Sequence, residues 1–173
     1  MRLRAVLTLL LLAYSSTWAS ETTWERNAAW LKAQINSCVD GTDPDACRRF
    51  PARTLHRLFG IDQLCEMDSC VNPWRIAEMA VSGDGWSLLG LAEDQDVLTK
   101  AQQMANGGLP VIAVHGGMVA LVMPGKLFPS QAWMRNVPLA VGARVDEPSA
   151  SVYAKGLSFL FSSPDSVTLY VHM

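Results

Sequence analysis

Past residue 20 the chain has no uninterrupted apolar run long enough to cross a bilayer, no block of like charge, no internal repeat and no low-complexity tract. Its longest apolar stretch, LPVIAVHGGMVALVMPG, is broken by Gly116 and Gly117 and falls short of the ~20 residues a spanning helix needs. Positive charge is scarce, with 14 Lys and Arg against 16 Asp and Glu, and no basic patch of the kind a nucleic-acid backbone requires. Histidine occurs only at positions 56, 115 and 172. The four cysteines follow the spacing C-x8-C…C-x4-C with no histidine at ligand distance, which argues against a zinc site. No P-loop, dinucleotide fingerprint or GxSxG elbow is present. Together these absences leave no expected metal, cofactor or nucleic-acid partner.

What is present begins with MRLRAVLTLLLLAYSSTWAS, which reads as a secretory signal peptide. Arg2 and Arg4 precede the apolar run Ala5 to Ala13, and Thr17-Trp18-Ala19 fits a small-x-Ala cleavage site. The predicted division is a signal peptide at 1–19 and a single domain at 20–173, in the periplasm or secreted, with no membrane span once the signal is removed. The remaining length is that of one ordinary domain. Its balance is 12 basic to 16 acidic side chains. In an oxidising compartment an even cysteine count favours disulfides. Three pairings are open, of which Cys38–Cys47 with Cys65–Cys70 is the simplest.

Along the chain, TTWERNAAWLKAQINSCVDG sets Trp24, Ala28, Leu31 and Ile35 at helical spacing, with Thr22 or Thr23 to cap and Glu25 in the first turn. CRRFPARTLHRLFG predicts a second helix with Phe50, Thr54, Leu55, Leu58 and Phe59 on one face and Gly60 as its stop. Proline is harmless only in the first turn of a helix, so Pro51 puts the helix start close to Cys47. A small disulfide loop then leads to a short helix at Pro73 to Val81, and SGDGWSLLG reads as a turn and an apolar bridge. AEDQDVLTKAQQMANGG predicts a helix with Val97, Leu98, Ala101, Met104 and Ala105 inward. Short strands follow: LPVIAVH and MVALVMPG around a Gly-Gly loop, then VPLAVGARV, KGLSFLFSS and SVTLYVHM. Helices first and antiparallel strands after predict an α+β fold.

With Gly116-Gly117 as the loop, His115 opposes Met118, Ala113 opposes Ala120 and Val111 opposes Val122, all on one face. The Ala113/Ala120 pair makes that face shallow enough for a helix to lie close. A cysteine at a helix start gains from the positive end of the dipole, which stabilises a thiolate. Cys47 on a helix seated in this trough would meet the hairpin end bearing His115, the arrangement of thiol amidases and peptidases.

AQQMANGGLPVIAVHGGMVALVMPG, with ACRRFPARTLHRLFGI upstream, resembles the central block and nucleophile helix of the NlpC/P60 and CHAP cysteine amidases, over roughly residues 45 to 140. The resemblance implies a papain-like fold with N-terminal helices packed on an antiparallel sheet. It also implies a cysteine nucleophile, a histidine base and a polar residue that orients the base. Cys47 takes the first role, Met118 stands where the family has its histidine, and Asn136 is the nearest candidate for the third. Across the two-residue loop, His115 is placed to supply the imidazole from the opposite strand. A Cys38–Cys47 bridge is the competing reading of Cys47, and the two exclude each other because a disulfide sulfur cannot attack.

Three functions remain in view. The first is an exported peptidoglycan amidase or endopeptidase, a cysteine hydrolase using Cys47, His115 and Asn136, with backbone N–H groups at the helix start holding the oxyanion. The second is a non-catalytic relative that binds a peptidoglycan peptide or a periplasmic or secreted protein. The third is a disulfide-stapled structural protein. Trp24, Trp30, Trp74, Trp86 and Trp133 serve either a ligand groove or the core.

Overall fold

A computed structural model describes residues 22–43, 45–67 and 69–173. The expected signal peptide lies outside the described residues. Among the described residues four α-helices are present: α1 (Thr23–Val39), α2 (Ala46–Phe59), α3 (Pro73–Ser82) and α4 (Gln95–Asn106). The strands are β1 (Cys65–Glu66), β2 (Ser69–Cys70), β3 (Trp86–Leu91), β4 (Val111–His115), β5 (Met118–Val122), β6 (Phe128–Ser130), β7 (Arg135–Val137), β8 (Leu139–Gly142), β9 (Val152–Gly156) and β10 (Thr168–His172).

The α+β expectation holds. The main sheet has six antiparallel strands in the order β3-β10-β4-β5-β8-β9. Helix starts follow local chemistry. The Thr22 hydroxyl accepts from the Glu25 N–H at 3.2 Å and the Glu25 carboxylate accepts from the Thr22 N–H at 2.7 Å, a closed capping box that holds the Glu25 carboxyl below its usual pKa. Asn72 caps α3 by accepting from the Arg75 N–H, with Pro73 at the first helical position. α2 starts at Ala46 and stops at Gly60, whose φ of +67° suits the left-handed cap. Pro51 sits beyond the first turn of α2, so the Cys47 carbonyl loses its i+4 donor.

Two core layers flank the sheet. Ile112, Val114, Val119, Leu121, Val141 and Tyr170 pack against α1, α2 and α3. Val111, Ala113, Ala120, Val122, Leu169 and Val171 pack against α4 and the segment carrying Leu157, Leu160 and Phe161. The helix seated on the Ala113/Ala120 trough is therefore α4, through its own small residues Ala101 and Ala105, and not the Cys47 helix. Leu160 completes the filling: a Cβ on Gly142, the partner of Ala120, would come within 2.8 Å of its Cδ1.

Two expectations for the strands change. SGDGWSLLG contains a true strand, β3, whose partner β10 lies at the far end of the chain. KGLSFLFSS is not a strand beyond Gly156; it turns into a 3-10 helix at Leu157–Phe159 that buries Leu157 and exposes Phe159. Disulfides join Cys38 to Cys47 and Cys65 to Cys70, the second across the β1–β2 pair. Two such bonds point to an oxidising, non-cytoplasmic compartment. No helix among the described residues is long and apolar enough to cross a membrane.

His172 on β10 stands edge-on to Trp86 at 4.9 Å between ring centroids, and Gly85 leaves it room. Burial lowers its pKa, and the Asp84 carboxylate opposes that shift only in part. The unfolded chain then binds this proton more readily than the folded one, so the contribution to stability is present above about pH 6.5 and is lost as pH falls through it. Urea midpoints should drop between about pH 7.5 and pH 5, and His172→Phe should flatten that part of the profile.

Candidate functional site

The hairpin forms with the expected register: His115 opposes Met118, Ala113 opposes Ala120, and Val114 opposes Val119. Gly116 and Gly117 have φ of +56° and +78°, as a two-residue turn matched to strand twist requires. At its tip lies a cavity of about 740 Å³. Arg48 from α2, Trp74 from α3, His115, Met118, Arg144 and Phe161 supply most of its chemistry. Its size falls in the range of small-ligand pockets, roughly 300–1,000 Å³.

Each wall is held by a specific contact. A carbonyl can only accept, so the 3.1 Å contact between His115 Nδ1 and the Ser166 carbonyl puts the ring proton on Nδ1 and leaves Nε2 as the open nitrogen. Phe161 meets the same ring edge-on, 6.5 Å between centroids. Arg144 is clamped by Asp146, through Nη2 at 2.7 Å and Nε at 3.3 Å, and by Glu147 at 3.3 Å. That clamp raises the guanidinium pKa and holds the Asp146 carboxyl low. Trp74 is 62% exposed, yet its indole lies directly on Gly117. Arg49 is bound by both oxygens of Asp43, whereas Arg48 has no ion pair among the described residues.

The trio drawn from the sequence is not assembled. Cys47 is bonded to Cys38, is only 6% exposed and belongs to the layer on the opposite sheet face from Met118. Asn136 sits on β7, in a separate two-stranded sheet, with its backbone clasped by Gln95: its N–H donates to Gln95 Oε1 at 2.9 Å and its carbonyl accepts from Nε2 at 3.0 Å. Neither residue lines the cavity. His115 and Met118 do, and of the five tryptophans considered for a groove only Trp74 does. Trp24, Trp86 and Trp133 are buried, and Trp30 lies under the Arg57 guanidinium.

No family model, curated protein or solved structure matches this chain. The likeness to NlpC/P60 and CHAP amidases therefore stands on the sequence motifs alone. One of those motifs has a structural explanation. Asn106, in the ANGG segment, binds Gly125 of the MPG turn in both directions: Oδ1 accepts from its N–H at 2.7 Å and Nδ2 donates to its carbonyl at 3.0 Å. Gln102, one turn earlier and 4% exposed, donates to the Met123 carbonyl at 2.8 Å and accepts from the Leu139 N–H at 3.3 Å. α4 thus ties itself to β6–β7, β5 and β8 through Gln95, Gln102 and Asn106, residues that a helical pattern assigns to the surface.

The cavity offers an aromatic face, cationic donors and an imidazole nitrogen; its lining contains no thiol. Gly117 sets the position of the aromatic wall. A Cβ there would overlap the Trp74 indole, and φ of +78° already disfavours any other residue. Gly117→Ala is expected to cost about 2 kcal/mol and to shift the tryptophan emission as Trp74 leaves the tip, both readable in one urea titration.

Proposed function

We propose that this chain is a non-catalytic exported protein, related in layout to the papain-like amidases, that holds a peptidoglycan peptide or a segment of a periplasmic or secreted protein in the hairpin-tip cavity. The observation that carries the reading is the Cys38–Cys47 bond, which removes the one residue suited to be the nucleophile. Met118 in place of the family's histidine points the same way. The test is to incubate oxidised and reduced mature protein with purified muropeptides and with intact sacculi, following hydrolysis by chromatography and binding by calorimetry. Binding without turnover in both states is the expected result. Hydrolysis that disappears in Cys47→Ala would replace this reading with a cysteine hydrolase.

A second reading is favoured by His115. Its anchored Nδ1 and open Nε2 are the orientation a general base needs. On that reading the chain is an amidase or endopeptidase released by reduction of Cys38–Cys47 together with a rearrangement that brings Cys47 from the opposite core layer to the hairpin tip. Turnover would appear only after reductant is added and would be lost in His115→Ala.

A further inference from the structure

Resting on the binding reading, we infer that the cavity recognises a short peptide by its free carboxylate, held by Arg48, with the adjoining apolar residue lying against Trp74. Three observations support this. Arg48 lines the cavity with its guanidinium unmatched among the described residues, although the chain as a whole carries more acid than base. A carboxylate matches a guanidinium in two parallel hydrogen bonds, the strongest pairing open to it. The second cation of the lining, Arg144, is already matched by Asp146 and Glu147, so Arg48 is the guanidinium of the lining left for a ligand carboxylate.

Trp74 is the second. A large aromatic that is 62% exposed yet lodged against a glycine has a fixed orientation before any ligand arrives. Stacking on a fixed ring loses little side-chain entropy, which makes it an efficient contact surface. The third is the remainder of the lining. Met118, Val145, Leu160 and Phe161 are apolar and suit an aliphatic or aromatic side chain next to the carboxylate. Asp146, also in the lining, disfavours a dianion, so a single carboxylate fits better than a phosphate.

The test uses the mature oxidised protein and four probes: acetyl-Ala-Ala and acetyl-Ala-Phe, each as the free acid and as the C-terminal amide. Binding is followed by calorimetry and by tryptophan emission. The acids should bind at least about tenfold more tightly than the amides, as expected for a charge-assisted pair. Arg48→Gln should abolish that preference, while Trp74→Ala should weaken acid and amide alike. Both side chains are exposed, so matching thermal melts will confirm that the variants are folded. Equal affinity for acid and amide, a preference that survives Arg48→Gln, or no binding of either acid overturns the inference. Muropeptides with free and amidated stem carboxyls form a parallel arm. Equal binding of both muropeptides leaves the binding function standing and removes only the carboxylate rule; no binding of any peptide or muropeptide removes both. Tighter binding of stem peptides than of the plain acids, still dependent on Arg48, identifies the cell wall as the source.

Discussion

Cys47→Ala lowers the unfolding free energy by about 2–3 kcal/mol and changes no hydrolytic activity. The stability effect follows from the Cys38–Cys47 bond, which closes a loop with a sequence separation of 9 and so restricts the unfolded chain. Both sulfurs are buried, Cys38 at 2% and Cys47 at 6% exposure, and they join the end of α1 to the start of α2 inside the helical layer. The check is urea unfolding of wild type and variant, with and without reductant. In reductant, where Cys65–Cys70 opens in both, wild type and variant should resemble each other, and the oxidised pair should differ in midpoint. Coincident midpoints would mean that this bond does not constrain the chain. The same variant bears on function: a nucleophile would make its loss absolute for turnover, whereas a structural bridge makes its loss visible only in the midpoint.

Gln102→Leu should cost about 3 kcal/mol, although it replaces an amide by an apolar side chain of similar size. The usual expectation for a buried polar residue changed to leucine is a gain in apolar burial. Here the loss prevails, because the amide serves two backbone groups at once, the Met123 carbonyl and the Leu139 N–H. Leaving a buried acceptor and a half-buried donor unsatisfied costs roughly 1–3 kcal/mol each, against about 1–2 kcal/mol recovered from apolar area. Gln102→Glu is the informative companion. It keeps the acceptor for Leu139 but cannot donate to Met123 when ionised, so its deficit should shrink at acid pH. Equal midpoints for wild type and Gln102→Leu would show that the amide is not what joins α4 to β5 and β8.

Local signals in the sequence carried much of this fold. The Gly-Gly turn fixes the β4–β5 register because a two-residue loop admits one pairing, and Thr22 with Glu25 announces the start of α1 through its reciprocal cap. Which helix covers which face was not legible. Both faces of the β4–β5 hairpin are apolar, Ala113/Ala120 on one and Val114/Val119 on the other, so alternation cannot say where α2 and α4 go. β3 was missed for a related reason: WSLLGL has no clear period and its partner is supplied by residues 168–172. At the site, His115 and Met118 came from the hairpin pattern, but their neighbours did not. Arg48 reads as a solvated helix charge, Trp74 as one more candidate for the core, and the Ser166 carbonyl that orients His115 is a backbone atom 51 positions away. The buried amide of Gln102 was illegible for the same reason, since only its partners reveal that it faces inward.

The position of β10 limits when the main sheet can be completed. The last strand of the sheet in sequence is an interior one, pairing with β3 on one side and β4 on the other, so that Trp86 meets His172 and Ile112 meets Tyr170. Until residues 168–172 are available, β3 has no neighbour and β4 presents a bare apolar edge. A chain emerging from its N-terminus therefore cannot complete the six-stranded sheet until β10 arrives, although β4, β5, β8 and β9 can pair before it. Such long-range pairing is also slow to form, because loop closure must precede the contacts that reward it. The arrangement makes β10 the strand that joins β3 to the rest of the sheet.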